Sequence, residues 1–269
     1  MDESLHKAID HPLINEVLFY PRSISESDLP RHDKGEIRRI PVGGDSLGAY
    51  WYRPCQDAPT VLFFHGNGEV ISDYFLDFHN SLEKLSLNFL PVDYRGYGLS
   101  TGTPCLSALL EDARAAWEYA VSTLGISPGN IIVLGRSLGS LAALEIAGGP
   151  GKDAKGLVIE SGIARFDDWI KRMEHLLAQM GVDVDLLKRA LNEAFDHKAK
   201  INNYKGPVLV MHAPHDEIVP LEQGKQLASW PGEQRTTFHV FPRGGHNDIM
   251  IFNREEYFKV LGDFINKPA

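Results

Sequence analysis

Several short apolar runs recur along the chain without the in-out alternation of a half-buried strand: "TVLFFHG" from Thr60, "NFLPVDYRG" from Asn88, "IIVLG" from Ile131, "GLVIESG" from Gly156 and "PVLVMHA" from Pro207. A strand that is apolar on both faces has to be covered on both faces, as a parallel sheet between two helical layers is. The intervening segments have helical spacing. "DYFLDFHNSLEKLS" follows the first run, "LSALLEDARAAWEYAVSTLG" closes at Gly125, and "SLAALEIAGG" follows the third. "REEYFKVLGDFIN" near the end puts Tyr257, Val260, Leu261, Phe264 and Ile265 on one face. Strand and helix alternate almost throughout, which predicts an α/β fold with a mostly parallel central sheet flanked by helices.

Two further elements complete this sheet. "EIRRIPV" and "SLGAYWYR", joined through Gly43, Gly44 and Asp45, read as a hairpin, and "TTFHVFP" reads as a last strand. Residues 1–34, interrupted by Pro12, Pro21 and Pro30, read as an irregular N-terminal extension laid on the surface, and 35–269 as the folded domain. The alternation breaks once, after "VIESG", where "FDDWIKRMEHLLAQM" and "DVDLLKRALNEAFDHKAK" form two successive amphipathic segments. Helices inserted at the carboxyl ends of such strands lie where the sheet binds ligands. A small helical cap over about 164–203 is therefore expected, set against the plainer reading of two packing helices.

Composition narrows the function. At 269 residues and 43% hydrophobic the chain can bury one large core. The net charge of −9 comes without any basic stripe, which argues against a nucleic-acid partner. Cys55 and Cys105 have no metal-site spacing and make a poor disulfide framework, so no metal or other cofactor is expected and a reducing, cytoplasmic setting is. The N-terminus carries acids and histidines where a signal peptide has a basic start and an apolar core. No apolar stretch reaches the roughly 20 residues that span a bilayer, so no integral membrane segment is expected.

Gly135-Arg136-Ser137-Leu138-Gly139 matches GxSxG, a pattern in which a serine sits on a strained turn between a strand and a helix. By composition alone such a match arises in roughly one chain in ten of this length. Its context is more specific: a buried strand precedes it and a helix rich in small residues follows. The glycines are expected at a turn too sharp for side chains. A tightly packed turn or a phosphate cradle is the plainer alternative, but a cradle calls for more glycines or a following lysine.

A serine hydroxyl is a poor nucleophile near neutral pH and needs a base, an acid to orient that base, and donors for the developing oxyanion. In chain order the acid comes first and the histidine last, each just beyond a strand. Asp216, after "PVLVMHA", is the expected carboxylate and His246, after "TTFHVFP", the expected general base. Glu217 and Glu160 are lesser candidates for the acid, and His212, His215 and His239 for the base. The backbone N–H groups of Leu138 and of Asn67, in the glycine-flanked "HGNG" turn, are the expected oxyanion donors. His65 reads as a loop brace, and Arg136 receives no role.

Taken together, "FFHGNG", "VDYRGYGLS", "LGRSLGS", "HAPHDEIVP" and "GGHNDI" resemble the ordered motif set of the α/β-hydrolase fold over about residues 36–269. The likeness is to serine hydrolases of the abhydrolase type, related to acyl-protein depalmitoylases and to the catalytic domain of prolyl oligopeptidases. It implies about eight strands, a Ser137–Asp216–His246 triad and an acyl-enzyme on Ser137, with Tyr94, Arg95, Gly96 and Tyr97 as scaffold. Set against that likeness, neither the N-terminal anchor or cysteine cluster of membrane-bound members nor a propeller domain is expected from this sequence. The expected activity is hydrolysis of small-molecule carboxylic esters or thioesters. The alternatives are a peptidase or amidase of the same fold, and a non-catalytic binding protein using the same pocket.

Overall fold

A computed structural model describes residues 3–266. The chain opens with two short helices, α1 (Glu3–Ile9) and α2 (Pro12–Leu18), then the hairpin β1 (Gly35–Val42) and β2 (Asp45–Tyr52). The alternating part runs β3 (Thr60–Phe64), α3 (Phe78–Lys84), β4 (Asn88–Val92), α4 (Leu106–Glu118), β5 (Ile131–Arg136), α5 (Gly139–Gly148) and β6 (Gly156–Glu160). Three consecutive helices follow, α6 (Asp167–Gln179), α7 (Val184–Ala194) and α8 (His197–Asn203). Then come β7 (Val208–His212), α9 (Leu221–Ser229), β8 (Thr236–Val240), α10 (Ile249–Phe252) and α11 (Arg254–Ile265).

The strands form one eight-stranded sheet in the order β1-β2-β4-β3-β5-β6-β7-β8, parallel from β4 to β8 and antiparallel at β1 and β2. Successive residues of a central strand enter different cores. Leu62 and Phe64 of β3 join one cluster with α4, α5 and α7, whereas Val61 and Phe63 join the other with α3 and α11. Both faces are covered, which is why these runs show no alternation. The edge strand β8 is only half-buried.

Two sequence expectations change. Residues 3–18 are helical rather than irregular: Leu5, Ile9, Ile14 and Leu18 are buried in the main core, and α1 packs on α4 and α7. Pro12 begins α2 instead of breaking it, since a helix's first position loses nothing by lacking an N–H. The second amphipathic segment is also split. Phe195 leaves helical geometry, and Asp196 caps a new helix by accepting from the Ala199 amide at 2.9 Å.

The chain passes from β3 to β4 on one side and then crosses to β5 on the other. The strand order therefore reverses between β3 and β5, the position where open α/β sheets bind ligands beyond their carboxyl ends. Asn67 follows β3 and Ser137 follows β5. Among the described residues, no helix is long and apolar enough to cross a membrane.

Candidate active site

Ser137 stands just past the end of β5 with φ at +50°, in the left-handed region, so the strain of the turn falls on the serine. The flanking glycines serve a different need from the one expected. A Cβ on Gly139 would lie 2.1 Å from the Phe64 carbonyl, and one on Gly135 2.3 Å from the Gly139 carbonyl. They allow α5 to press against β3 and β5 and hold the serine above the sheet.

Ser137, Asp216 and His246, distant in sequence, meet beyond the carboxyl ends of the strands. His246 Nε2 lies 2.8 Å from Ser137 Oγ, and His246 Nδ1 lies 2.8 and 3.0 Å from the two Asp216 oxygens. An ionised carboxylate only accepts, so Nδ1 carries the proton and Nε2 is left to accept from the serine hydroxyl. All three residues are buried. Asp216 Oδ1 also accepts the Ile218 and Val219 amides at 3.0 and 2.7 Å. Burial pushes the Asp216 carboxyl up, but its hydrogen bond to His246, the electrostatic pull of that ring and the Val219 amide outweigh this and hold it below the usual carboxylate range.

Among the described residues, no side chain of the other candidates is hydrogen-bonded to the side chain of Ser137 or His246, although His212 Nε2 comes within 3.4 Å of Asp216 Oδ2. Glu160 is bound to Arg136 and Tyr257, away from the imidazole. Glu217 and His215 are exposed, and His239 pairs with Glu256 at 3.0 Å. His212 is buried and donates through Nε2 to the Val219 carbonyl at 2.8 Å, bracing the loop that carries Asp216. His65 donates through Nδ1 to the Gly66 carbonyl at 2.8 Å, as a loop brace does.

Asn67 and Leu138 both line a cavity of about 570 Å³ that opens onto Ser137. Neither amide has a hydrogen-bond acceptor among the described residues. The Asn67 side chain is occupied: its Nδ2 donates to the Leu18 carbonyl at 2.6 Å, and its Oδ1 accepts from the Tyr20 amide at 3.0 Å and the Tyr97 hydroxyl at 2.6 Å. The turn is thereby pinned to the N-terminal segment. Val17, Leu18 and Tyr20 form one wall of the cavity, and Phe166, Trp169 and Met173 of the α6 region form another. Among the described residues, no cluster of three or more His, Cys, Asp or Glu side chains could hold a metal ion.

The sequence reading missed two contributors. The N-terminal segment reads from sequence as an irregular surface extension, with no role at the site. Arg136 had a usable signal: it ends an otherwise apolar buried strand in register with Glu160 of β6, and a buried charge requires a partner.

The eight-stranded sheet and the elbow between β5 and α5 are those of the α/β-hydrolase fold, and this chain has that fold. A family model described as serine aminopeptidase, S33, matches residues 56–182. Protein bem46 of Schizosaccharomyces pombe is 29% identical over 220 residues, 80% of this chain and 71% of that protein. Human alpha/beta hydrolase domain-containing protein 17B is 28% identical over 212 residues, 77% of this chain and 66% of that protein. The chain thus spans about two thirds of that relative's length. Among solved structures, the Pyrococcus furiosus esterase Pf2001 superposes with a TM-score of 0.70 at 18% identity, covering 91% of this chain and 97% of that one.

Proposed function

We propose that this protein is a serine hydrolase that cleaves carboxylic esters or thioesters through an acyl-enzyme on Ser137. The observation that carries the reading is the hydrogen-bonded series from Asp216 through His246 to Ser137 Oγ, with both contacts to the imidazole at 2.8 Å. Ser137 Oγ attacks the acyl carbon while His246 Nε2 takes its proton, and Asp216 stabilises the imidazolium. The carbonyl π electrons move onto oxygen, where the Asn67 and Leu138 amides receive the charge. When the tetrahedral species collapses, the bond to the alkoxide or thiolate breaks and Nε2 returns the proton to that leaving group. Water then attacks the acyl-enzyme by the same route, releasing the acid and regenerating Ser137.

The apolar walls supplied by Val17, Leu18, Phe166, Trp169 and Met173 favour an acyl chain of medium length, with residues 164–203 acting as a cap over it. Both cysteines are unpaired, which favours a reducing compartment such as the cytoplasm. The description of the matching family model favours a second reading, cleavage of peptides. Amide hydrolysis places a heavier demand on protonating the leaving group. Steady-state turnover of a p-nitrophenyl ester series against aminoacyl anilides separates the two. The ester reading predicts preferred ester turnover that is abolished in Ser137→Ala; anilides cleaved faster than esters, or undiminished turnover in Ser137→Ala, would contradict it.

A further inference from the structure

Arg136, 7% exposed, stands immediately before the nucleophile and reaches three separate segments. Its Nη2 donates to the His246 carbonyl at 2.7 Å and its Nε to Glu160 Oε1 at 3.2 Å, while Nη1 forms an ion pair with Glu69 Oε1. Each contact continues into the site. Glu69 Oε2 accepts from the Gly66 amide at 2.7 Å, at the base of the turn that presents Asn67, and from the Tyr74 hydroxyl at 2.5 Å. Glu160 Oε2 accepts from the Tyr257 hydroxyl at 2.5 Å, and the Glu160 main-chain carbonyl accepts from the Ser137 amide at 2.9 Å. The loop bearing the base, the turn bearing an oxyanion donor and the serine turn itself therefore converge on one guanidinium.

We propose that Arg136 is a positioning residue for the reaction, fixing the His246 loop and the Gly66–Gly68 turn relative to Ser137. The inference rests on the serine-hydrolase reading. A guanidinium offers several N–H donors in one rigid plane, so three partners on three segments define distances among those segments. An ammonium is a compact donor on a flexible stem and cannot reproduce that fork. Burial confines the arrangement further, because a donor pulled from its acceptor finds no water to replace it. The Arg136 charge and the Tyr74 hydroxyl oppose the upward push of burial on Glu69 and hold its carboxyl below the usual range, so the pair stays ionised.

A second cavity of about 550 Å³ lies behind this network, with Glu69, Tyr74, Arg136, Glu160 and Tyr257 on its walls. It gives a small cation a route to the position of the guanidinium and makes chemical rescue a suitable test. In Arg136→Ala, kcat on p-nitrophenyl acetate should fall about 100-fold, the scale of a roughly 1 Å misplacement, with KM nearly unchanged. Millimolar guanidinium chloride, far below denaturing concentrations, should restore about a tenth of the lost rate or more, and Arg136→Lys should remain impaired. If Arg136→Ala does not fold, Glu69→Gln takes its place and should lower kcat about tenfold at unchanged KM. Wild-type kcat in whichever of these variants is folded overturns the positioning role, while abolished turnover in Ser137→Ala still upholds the ester mechanism. If the wild type turns over no ester, proton NMR decides. The His246 Nδ1 proton should be sharp in the wild type and in Ser137→Ala, and broadened or lost in the Arg136 variant. An equally sharp signal there overturns the inference.

Discussion

Replacing Asp216 by Asn alters one atom while keeping the shape of the loop. In the folded protein Asp216 Oδ1 accepts the Ile218 and Val219 amides at 3.0 and 2.7 Å, so an asparagine keeps its oxygen on that side. Its NH₂ group then occupies the place of Oδ2, 2.8 Å from His246 Nδ1, while the retained oxygen, 3.0 Å from Nδ1, is already taken by the two amides. Two donors cannot face each other, and the imidazole responds by moving its proton to Nε2. The nitrogen that should accept from Ser137 Oγ becomes a donor, and proton abstraction fails. A reversed tautomer in a triad of this geometry lowers kcat by about 10⁴, equivalent to about 5.4 kcal/mol of transition-state stabilisation. The assay is kcat on p-nitrophenyl acetate, with thermal unfolding to establish that the variant is folded. A folded Asp216→Asn variant retaining kcat within about tenfold of wild type would refute the reasoning, because no tautomer-dependent base could then be operating.

Three further outcomes follow from other parts of the molecule. Gly139→Ala places a Cβ 2.1 Å from the Phe64 carbonyl and should cost about 1–3 kcal/mol in a denaturant titration and lower kcat; wild-type stability would contradict the close-packing role given to this glycine. Val17→Trp narrows the cavity by a wall residue of α2, and closing it to three or four methylenes at about 0.8 kcal/mol each should lower kcat/KM for octanoyl over acetyl esters about 100-fold. An unchanged chain-length profile would remove the N-terminal segment from the acyl site. His197 is buried, its pKa pushed down to about 3 by burial and by the Lys200 charge. Because the fold rejects a proton that the unfolded chain accepts, this stability is complete above about pH 6.5 and is lost as pH falls toward 3, at about 1.4 kcal/mol per pH unit. His197→Phe should flatten the acid limb of the stability–pH curve by about one proton; an unchanged slope would contradict this.

The sheet was legible because its central strands are buried on both faces, so that Val61 to Phe64 or Ile131 to Leu134 can be little else once helices alternate with them. The positions of Ser137, Asp216 and His246 were legible because such folds place reactive side chains just beyond strand ends, and the punctuation of the chain marks those ends. The N-terminal helices were not. At seven residues each they are too short to persist alone and exist because Leu5, Ile9, Ile14 and Leu18 find a core formed by residues much later in the chain. The roles of Arg136 and Glu69 were hidden for a related reason. Their partners lie on separate segments, 24 to 110 residues away for Arg136, and only the folded register of β5 beside β6 and β3 aligns them. The pattern GxSxG puts the serine on a strained turn, and Ser137 does carry the positive φ; the glycines, expected where the turn is too sharp for side chains, provide clearance for α5.

The most direct test of the mechanism is to trap a covalent adduct on the nucleophile, a phosphonyl or an acyl group. After brief exposure to a fluorophosphonate or to a slowly deacylating p-nitrophenyl ester, intact-mass and peptide mass spectrometry should show a single adduct on the peptide containing Ser137, absent from Ser137→Ala and from heat-unfolded protein. An adduct on any other residue, or undiminished ester hydrolysis by Ser137→Ala, would contradict the mechanism.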